Sequence, residues 1–420
     1  MFDLSLNFIK RIKRNLFPFY KNKELKFVFR TMQKGFPKET VVARFVGGCV
    51  RKHLSNEVID DIDIATILTT DEVIERFRNT NLKVIDTGIK HGTVTLVSEK
   101  FKLELTTLRK DLETDGRHAE VEYIDDWQLD SERRDFTINA IYLDINGKIY
   151  DPQMGEDDLK NKNVKFIGDP QKRIQEDYLR IIRFIRFKIM YDDKIESTTS
   201  DAIKLNLNGI KQLSKERILI ELIKILELKK FINLNKNPKL KEIFFLIFPE
   251  FMHLDRLDRL NKICNYSQIN KDLLLAVLLT DAKNNHEYFV HKYNASNRIK
   301  DNLDLFAKNL TILKENKNFL DRDLEKNIYL NGKNHLIDLN IINFTINNKF
   351  KLNDFLKILR EILQSKVYKL PVDGKFLIQN GMKEGAVIGK VLKLIEKEWI
   401  NNNFTISKNR ILEIIKLNLN

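Results

Sequence analysis

The chain has 420 residues, 43% apolar and 31% charged, and 73 Lys and Arg against 59 Asp and Glu leave a net charge of +14. That length accommodates roughly two to four domains with cores of their own, and the composition excludes wholesale disorder. Two cysteines, Cys49 and Cys264, exclude a disulfide scaffold and a Cys-based zinc cluster and fit a reducing, cytoplasmic setting. Apolar runs such as Leu273 to Leu279 fall far short of the ~20 residues that cross a bilayer, so no membrane association is expected.

The charge is unevenly spread. Residues 1–44 hold 11 Lys and Arg against 3 acids, residues 45–190 hold 23 against 28, and residues 191–420 hold 39 against 28. Residues 1–40 therefore read as a basic N-terminal arm, although Lys-, Asn- and Ile-rich genome composition produces much the same surplus. Residues 41–168 read as an α/β head, with strands predicted at Val41 to Val46, Ile62 to Ala65, Lys83 to Ile85, Thr93 to Val97, Phe101 to Thr107 and Ala140 to Leu143. Beyond Gly168 the apolar spacing becomes helical, in Tyr178 to Met190, Arg217 to Leu228, Leu273 to Thr280 and Phe355 to Leu363. This gives a neck over 169–230 and a helical body and tail over 231–420. A protein that only coats nucleic acid has little use for carboxylates concentrated in its middle, whereas one that holds metal and nucleotide does.

Five short pieces carry candidate chemistry. In Phe45-Val46-Gly47-Gly48-Cys49-Val50-Arg51, two glycines let backbone approach a phosphate and Arg51 adds a bidentate cation; a simple turn is the alternative. In Asp60-Asp61-Ile62-Asp63-Ile64, alternation puts the Asp61 and Asp63 carboxylates on one face. Their repulsion is a cost that a divalent cation removes, and a polar edge strand is the alternative. Glu104, facing the polar side of Phe101 to Thr107, is the best third carboxylate, or an ordinary exposed strand glutamate. Arg134, Asp135 and Asn139 within Glu132 to Ala140 can meet phosphate and ribose, or form a structural ion-pair network. In Arg173 to Phe187, Asp177, Arg180 and Arg183 step by three along a predicted helix face, so an acceptor and a guanidinium fork can mimic a base edge. A solvated salt bridge is the competing account there.

In this order and spacing the five pieces resemble the class II CCA-adding tRNA nucleotidyltransferases, within the tRNA nucleotidyltransferase/poly(A) polymerase family. The likeness runs from about residue 41 to about residue 228. It implies an α+β fold with a polymerase-β-like nucleotidyltransferase head followed by a mostly α-helical neck, body and tail. It implies two Mg²⁺ ions on Asp61 and Asp63; Glu104, from the strand alternation, is the candidate further catalytic carboxylate. Gly47, Gly48 and Arg51 would cradle the nucleotide phosphates and Arg134, Asp135 and Asn139 would meet the ribose. Asp177 and Arg180 would read the edge of CTP or ATP, with Arg183 and Arg186 on phosphates. The stretch Arg109 to Tyr123, containing Asp115, Gly116 and Arg117, looks like the family's flexible loop, and Arg217 to Leu222 like a buttress for the template helix. Lys52 stands where the family commonly has Asp, and Lys375 where its tail usually has an acid.

The expected activity is template-independent, metal-dependent addition of CCA to the 3′ end of tRNA from CTP and ATP, releasing pyrophosphate. The acceptor and T-arm of tRNA would be the partner, and no protein partner is implied. An enzyme adding only A, a poly(A) polymerase of the same fold and, from a different class, a catalytically inactive RNA-binding protein are the rivals.

Overall fold

The computed structural model describes residues 18–86, 88–89, 92–114, 119–191, 195–281, 283–316 and 318–419. The chain divides into two compact units, one comprising Met1–Pro249 with Lys292–Asn294, the other Glu250–His291 with Ala295–Asn420.

In the first unit, strands β1 (Ala43–Val46), β2 (Ile62–Thr66), β3 (Lys83–Ile85), β4 (Thr93–Val97), β5 (Lys102–Thr107), β8 (Tyr142–Leu143) and β9 (Ile149–Tyr150) form one sheet. Among the described residues its order is β3-β4-β5-β2-β1-β8-β9. β2 and β5 pair in parallel, which sets Asp63 against Glu104, while β1 runs antiparallel to β2 and sets Val46 against Asp63. Along β2 the alternation buries Ile62 and Ile64 and leaves Asp63 half-buried, as a period of two requires. Strands β6 (Arg109–Thr114) and β7 (Ala119–Tyr123) form a separate hairpin. The β6 sequence, Arg-Lys-Asp-Leu-Glu-Thr, has one apolar residue and no alternation to read, whereas the β7 sequence, Ala-Glu-Val-Glu-Tyr, does alternate. Asp115, Gly116 and Arg117 lie outside the described residues.

Residues 18–40 are part of this unit. Helix α1 (Lys23–Gln33) buries Leu25, Val28, Phe29 and Met32, a helical stripe that the surrounding lysines obscure in the sequence. The Phe29 ring lies 4.6 Å from that of Phe45 on β1, and the Phe19 ring lies 4.8 Å from it on another approach. The predicted basic arm is therefore folded at least from Phe19 onward.

Further helices of this unit are α2 (Gly48–Leu54), α3 (Thr70–Phe77), α4 (Trp127–Glu132), α5 (Gly155–Lys160), α6 (Pro170–Glu176), α7 (Leu179–Tyr191), α8 (Ser197–Asn206) and α9 (Lys215–Leu226). Apolar side chains surround α7, with Ile181, Ile182, Phe184, Ile185 and Phe187 all buried, so it is a core helix rather than a surface one. It packs against α9 and against α10 (Pro238–Ile247). Phe231, Phe244 and Phe248 stack in series at 5.4 and 5.0 Å. Residues 231–249, read from sequence as the start of the body, thus belong to the first unit.

The second unit is helical, from Arg256–Asn261 to Lys408–Leu417. Its C-terminal part has its own apolar cluster of Val372, Leu377, Met382, Val391, Ile395, Ile411, Ile414 and Ile415.

Candidate active site

β1 ends at Val46 and the chain turns sharply into α2 at Gly47, whose φ is 71°. A Cβ there would lie 3.5 Å from Asp63 Oδ2, whereas one on Gly48 would meet nothing within 4 Å. Asp61, exposed, sits just before β2 and Asp63 on it. Burial, then the neighbouring Glu104 and Asp61, push the Asp63 carboxyl up to about 6, against the pull of Arg134 and Arg51. Among the described residues no Lys or Arg forms an ion pair with either carboxylate. The adjacent Asp60 is instead neutralised by Lys52, which explains how a lysine is accommodated at that departure from the family pattern. Glu104 lies beside Asp63 in the parallel register, but its carboxylate is bound by Lys102 at 2.8 Å and is 46% exposed.

A cleft of about 800 Å³ opens next to this pair. It is lined by Gly47, Gly48, Arg51, Asp61, Asp63, Arg134, Asp135, Asn139, Asp177, Arg180, Arg183 and Arg186, together with Lys52, Arg109, Arg133, Phe187 and others. Four of the five candidate pieces, drawn from between Gly47 and Phe187, thus converge, while Glu104 stays outside the lining.

The cationic part of the cleft is organised by buried carboxylates. Asp135 Oδ1 accepts from Asn139 Nδ2 at 2.8 Å and its Oδ2 from Arg183 Nε at 2.7 Å. Burial raises its pKa, but Arg183 and Asn139 outweigh that and hold it at about 2. Asn139 in turn accepts from Arg51. Glu221 on α9, buried, accepts from Arg186 Nε at 2.8 Å, lies 3.0 Å from Lys224 Nζ and 3.6 Å from Arg183. The Arg186 and Arg51 guanidiniums lie 4.5 and 4.7 Å from the Phe187 ring centre, close enough for cation–π attraction.

The residues expected to read the base edge, Asp177 and Arg180, are placed differently from the sequence expectation. Asp177 is not helical: with φ −153° and ψ 106° it terminates α6, and its Oδ1 caps α7 by accepting from Leu179 N at 3.0 Å. The break is fixed by Tyr178, whose ring packs on Gly209 so closely that a Cβ there would lie 2.2 Å from it. Asp177 therefore does not share a helix face with Arg180 and Arg183. Its Oδ2 pairs with Arg217 of α9 at 2.8 Å, while Arg180 is held by Glu176 and donates to the Arg173 carbonyl at 2.7 Å.

The Poly A polymerase head domain model matches residues 43–165. The human mitochondrial CCA tRNA nucleotidyltransferase 1 is 32% identical over 410 residues, covering 92% of this chain and 89% of that protein. The CCA-adding enzyme of Staphylococcus haemolyticus (strain JCSC1435) is 32% identical over 394 residues, covering 90% and 94%. The chain belongs to the CCA-adding tRNA nucleotidyltransferases. The crystal structure of the Bacillus stearothermophilus CCA-adding enzyme in complex with CTP shares the fold, with a TM-score of 0.65 and 23% identity over 94% of this chain and 97% of that one. The polymerase name attaches to a model of the head alone, whereas the relatives matched along most of their length are CCA-adding, so the poly(A) polymerase and inactive-protein readings are not favoured.

For a family that works on nucleotides, the donor set at Asp61 and Asp63 fits Mg²⁺. Both carboxylates offer hard oxygens, Gly47 leaves room beside Asp63 Oδ2, and among the described residues no Lys or Arg forms an ion pair with them. Among the described residues no group of three or more His, Cys, Asp or Glu is arranged as a metal site. That matches an ion that takes one or two carboxylates and completes its shell with phosphate and water. Asp130 and Glu176 were not among the sequence candidates, and Glu221 entered only within the buttress stretch. The i,i+3 and i,i+4 spacings of Asp130 to Arg133 and Arg134, and of Glu176 to Arg180, were the available signals.

Proposed function

We propose that this CCA-adding nucleotidyltransferase performs its reaction in the cleft described above, with CTP and ATP as substrates and the tRNA 3′ hydroxyl as acceptor. The observation that carries this reading is the convergence, on one cleft, of an unpaired carboxylate pair and a set of arginines whose orientation is fixed by other carboxylates. Asp61 and Asp63 would hold Mg²⁺, which supplies activation of the attacking hydroxyl and neutralisation of charge on the phosphates. Gly47 and Gly48 admit the triphosphate close to backbone, and Arg51, Arg183 and Arg186 bear on its anionic oxygens. Asn139 and Asp135, tied together, present an amide toward the ribose side. Glu104 supports Asp63 from the adjacent strand by raising its affinity for cations.

Asp177 and Arg180 offer an acceptor and a donor fork to the base edge. Both are already held in place, by Arg217 and by Glu176, so little rotamer entropy is lost when a base docks. The first unit acts as head and neck, and the second as body and tail gripping the acceptor and T-arm through phosphates, in a reducing compartment such as the cytosol. Binding of tRNA should weaken as salt rises.

The test is incubation with tRNA lacking its 3′ CCA, Mg²⁺, and CTP and ATP singly and together, followed by sequencing of the ends. CTP alone should give CC and the pair CCA. Extension by A only, or by a poly(A) tract, would overturn the reading.

A further inference from the structure

Asp130 has no part in the chemistry above, yet it is the most heavily committed carboxylate near the cleft. It lies on α4, a helix of six residues, and is fully buried. Its Oδ1 accepts from Arg133 Nε at 2.8 Å and, at a longer 3.4 Å, from the backbone N–H of Arg109. Its Oδ2 accepts from a terminal nitrogen of Arg134 at 2.9 Å and from the Tyr142 hydroxyl at 2.7 Å. Tyr142 closes the ring by accepting from Arg134 Nε at 3.1 Å.

Three of these partners belong to cleft-lining residues: Arg109, Arg133 and Arg134. Arg134 spends its Nε and one terminal nitrogen inward, which fixes the plane of the guanidinium and leaves the other terminal nitrogen outside this ring of bonds. Arg109 is the first residue of the β6–β7 hairpin. The helix carrying Asp130 is itself pinned, because the Arg44 guanidinium is sandwiched between Trp127 and Tyr150 at 4.3 and 4.4 Å from their ring centres. Burial works against a charge on Asp130, but Arg134 and Arg133 outweigh it and keep the carboxyl well below the usual range.

We propose that Asp130 is a positioning residue for nucleotide binding: one buried carboxylate sets the guanidinium planes of Arg133 and Arg134 and anchors the first amide of the hairpin to them. The inference rests on the reading that Arg134 meets the nucleotide. It makes the hairpin root and the arginines parts of one rigid body, so that a nucleotide engaging Arg134 also steadies the base of the hairpin.

The experiment uses the full chain and steady-state incorporation from CTP onto tRNA lacking CCA, with Asp130→Asn, Tyr142→Phe, Arg134→Lys and the Asp130→Asn/Arg134→Lys double variant. Loss of charge-assisted bonds should raise KM for CTP by about 10- to 100-fold in Asp130→Asn and by about threefold in Tyr142→Phe, with KM for tRNA unchanged. The double variant should be no worse than about twofold beyond the poorer single one, because both remove the same arrangement. Additive effects, or an unchanged KM for CTP in a folded Asp130→Asn, would overturn the proposal. An Arg134→Lys variant with wild-type KM would instead sink the nucleotide reading of Arg134. Should Asp130→Asn fail to fold, Tyr142→Phe and its own double variant with Arg134→Lys carry the same test.

Amide exchange separates the hairpin half of the idea. Asp130→Asn should speed exchange at Arg109 and not at Leu108, whose N–H is bonded to the Thr66 carbonyl at 2.7 Å. Unchanged exchange at Arg109 would overturn the anchoring role.

Discussion

Asp63 and Asp135 line the same cleft and are both largely withdrawn from water, yet their environments push them in opposite directions. Asp63 is raised to about 6 by burial and by Glu104, and Asp135 is held at about 2 because Arg183 and Asn139 overcome its burial. Glu221 and Asp130 side with Asp135, each lowered by the arginines that surround it. Arginines thus neutralise Asp130, Asp135 and Glu221, while Asp63 is left to the repulsion of Glu104 and Asp61. A group whose charge the fold declines to balance is one that costs stability until something from solution balances it. On the reading proposed above, the difference separates residues that arrange the site from those that would take a cation.

The largest expected effect follows from that separation. Asp63→Asn should cut incorporation by about a thousandfold or more, the scale of losing a metal's charge stabilisation. The same change should stabilise the fold without metal. With its folded pKa raised, Asp63 carries a penalty above about pH 6 that is relieved as pH falls toward the ordinary carboxyl value. Removing the charge should therefore gain about 2 kcal/mol at pH 7 in chelator. Thermal denaturation in EDTA and in Mg²⁺ checks it; a variant less stable than wild type in EDTA would break the comparison.

On the arginine side the same kind of substitution should act with the opposite sign. Glu221→Gln leaves Arg183, Arg186 and Lys224 facing one another around a neutral amide. Stripping one partner from a buried ionic cluster costs about 3 kcal/mol. Denaturant unfolding should show that loss together with a raised KM for both nucleotides.

Asp135→Asn is the subtler case and is read through pH. A carboxyl depressed to about 2 contributes its full stabilisation above the ordinary value near 4, and that contribution disappears as pH falls through the folded value. The wild-type advantage over Asp135→Asn should be about 2 kcal/mol at pH 7 and shrink between about pH 4 and pH 2. A gap that is constant across that window would remove Asp135 from the ion-paired set.

These contrasts were only partly visible in the sequence. Local chemistry was legible: the glycine pair before Arg51, the alternation that puts Asp63 on the opposite strand face from Ile62 and Ile64, and the helical spacing of the neck all survive in the structure. What could not be read was any partner supplied from far along the chain. Asp135 meets Arg183 from 48 residues away and Arg186 meets Glu221 from 35 away, and no periodicity reports such contacts. Spacing also misled once. Asp177, Arg180 and Arg183 are three apart, but the helix starts only at Leu179 because Asp177 spends its carboxylate as a cap and Tyr178 packs on Gly209. Helix α1 was missed because lysines obscure its buried stripe, and the β6–β7 hairpin because Arg109 to Tyr123 reads as a flexible loop, although Ala119 to Tyr123 alternates.

The smallest expected effect distinguishes the two glycines, which the sequence treats alike. Gly47 has a positive φ that an L side chain rarely adopts, while a Cβ there would sit in ordinary contact with Asp63 Oδ2. Gly47→Ala should therefore cost about 1 kcal/mol or more before any ligand binds. Gly48 opens α2 with nothing within 4 Å of its would-be Cβ, and alanine there should gain up to about 1 kcal/mol. A Gly48→Ala protein with a raised melting temperature and a several-fold higher KM for CTP would isolate close ligand approach as the reason for that glycine, since the fold itself does not need it. If KM stays at the wild-type value while the protein is stabilised, only Gly47 belongs to the phosphate cradle, and it belongs there for the positive φ of its turn.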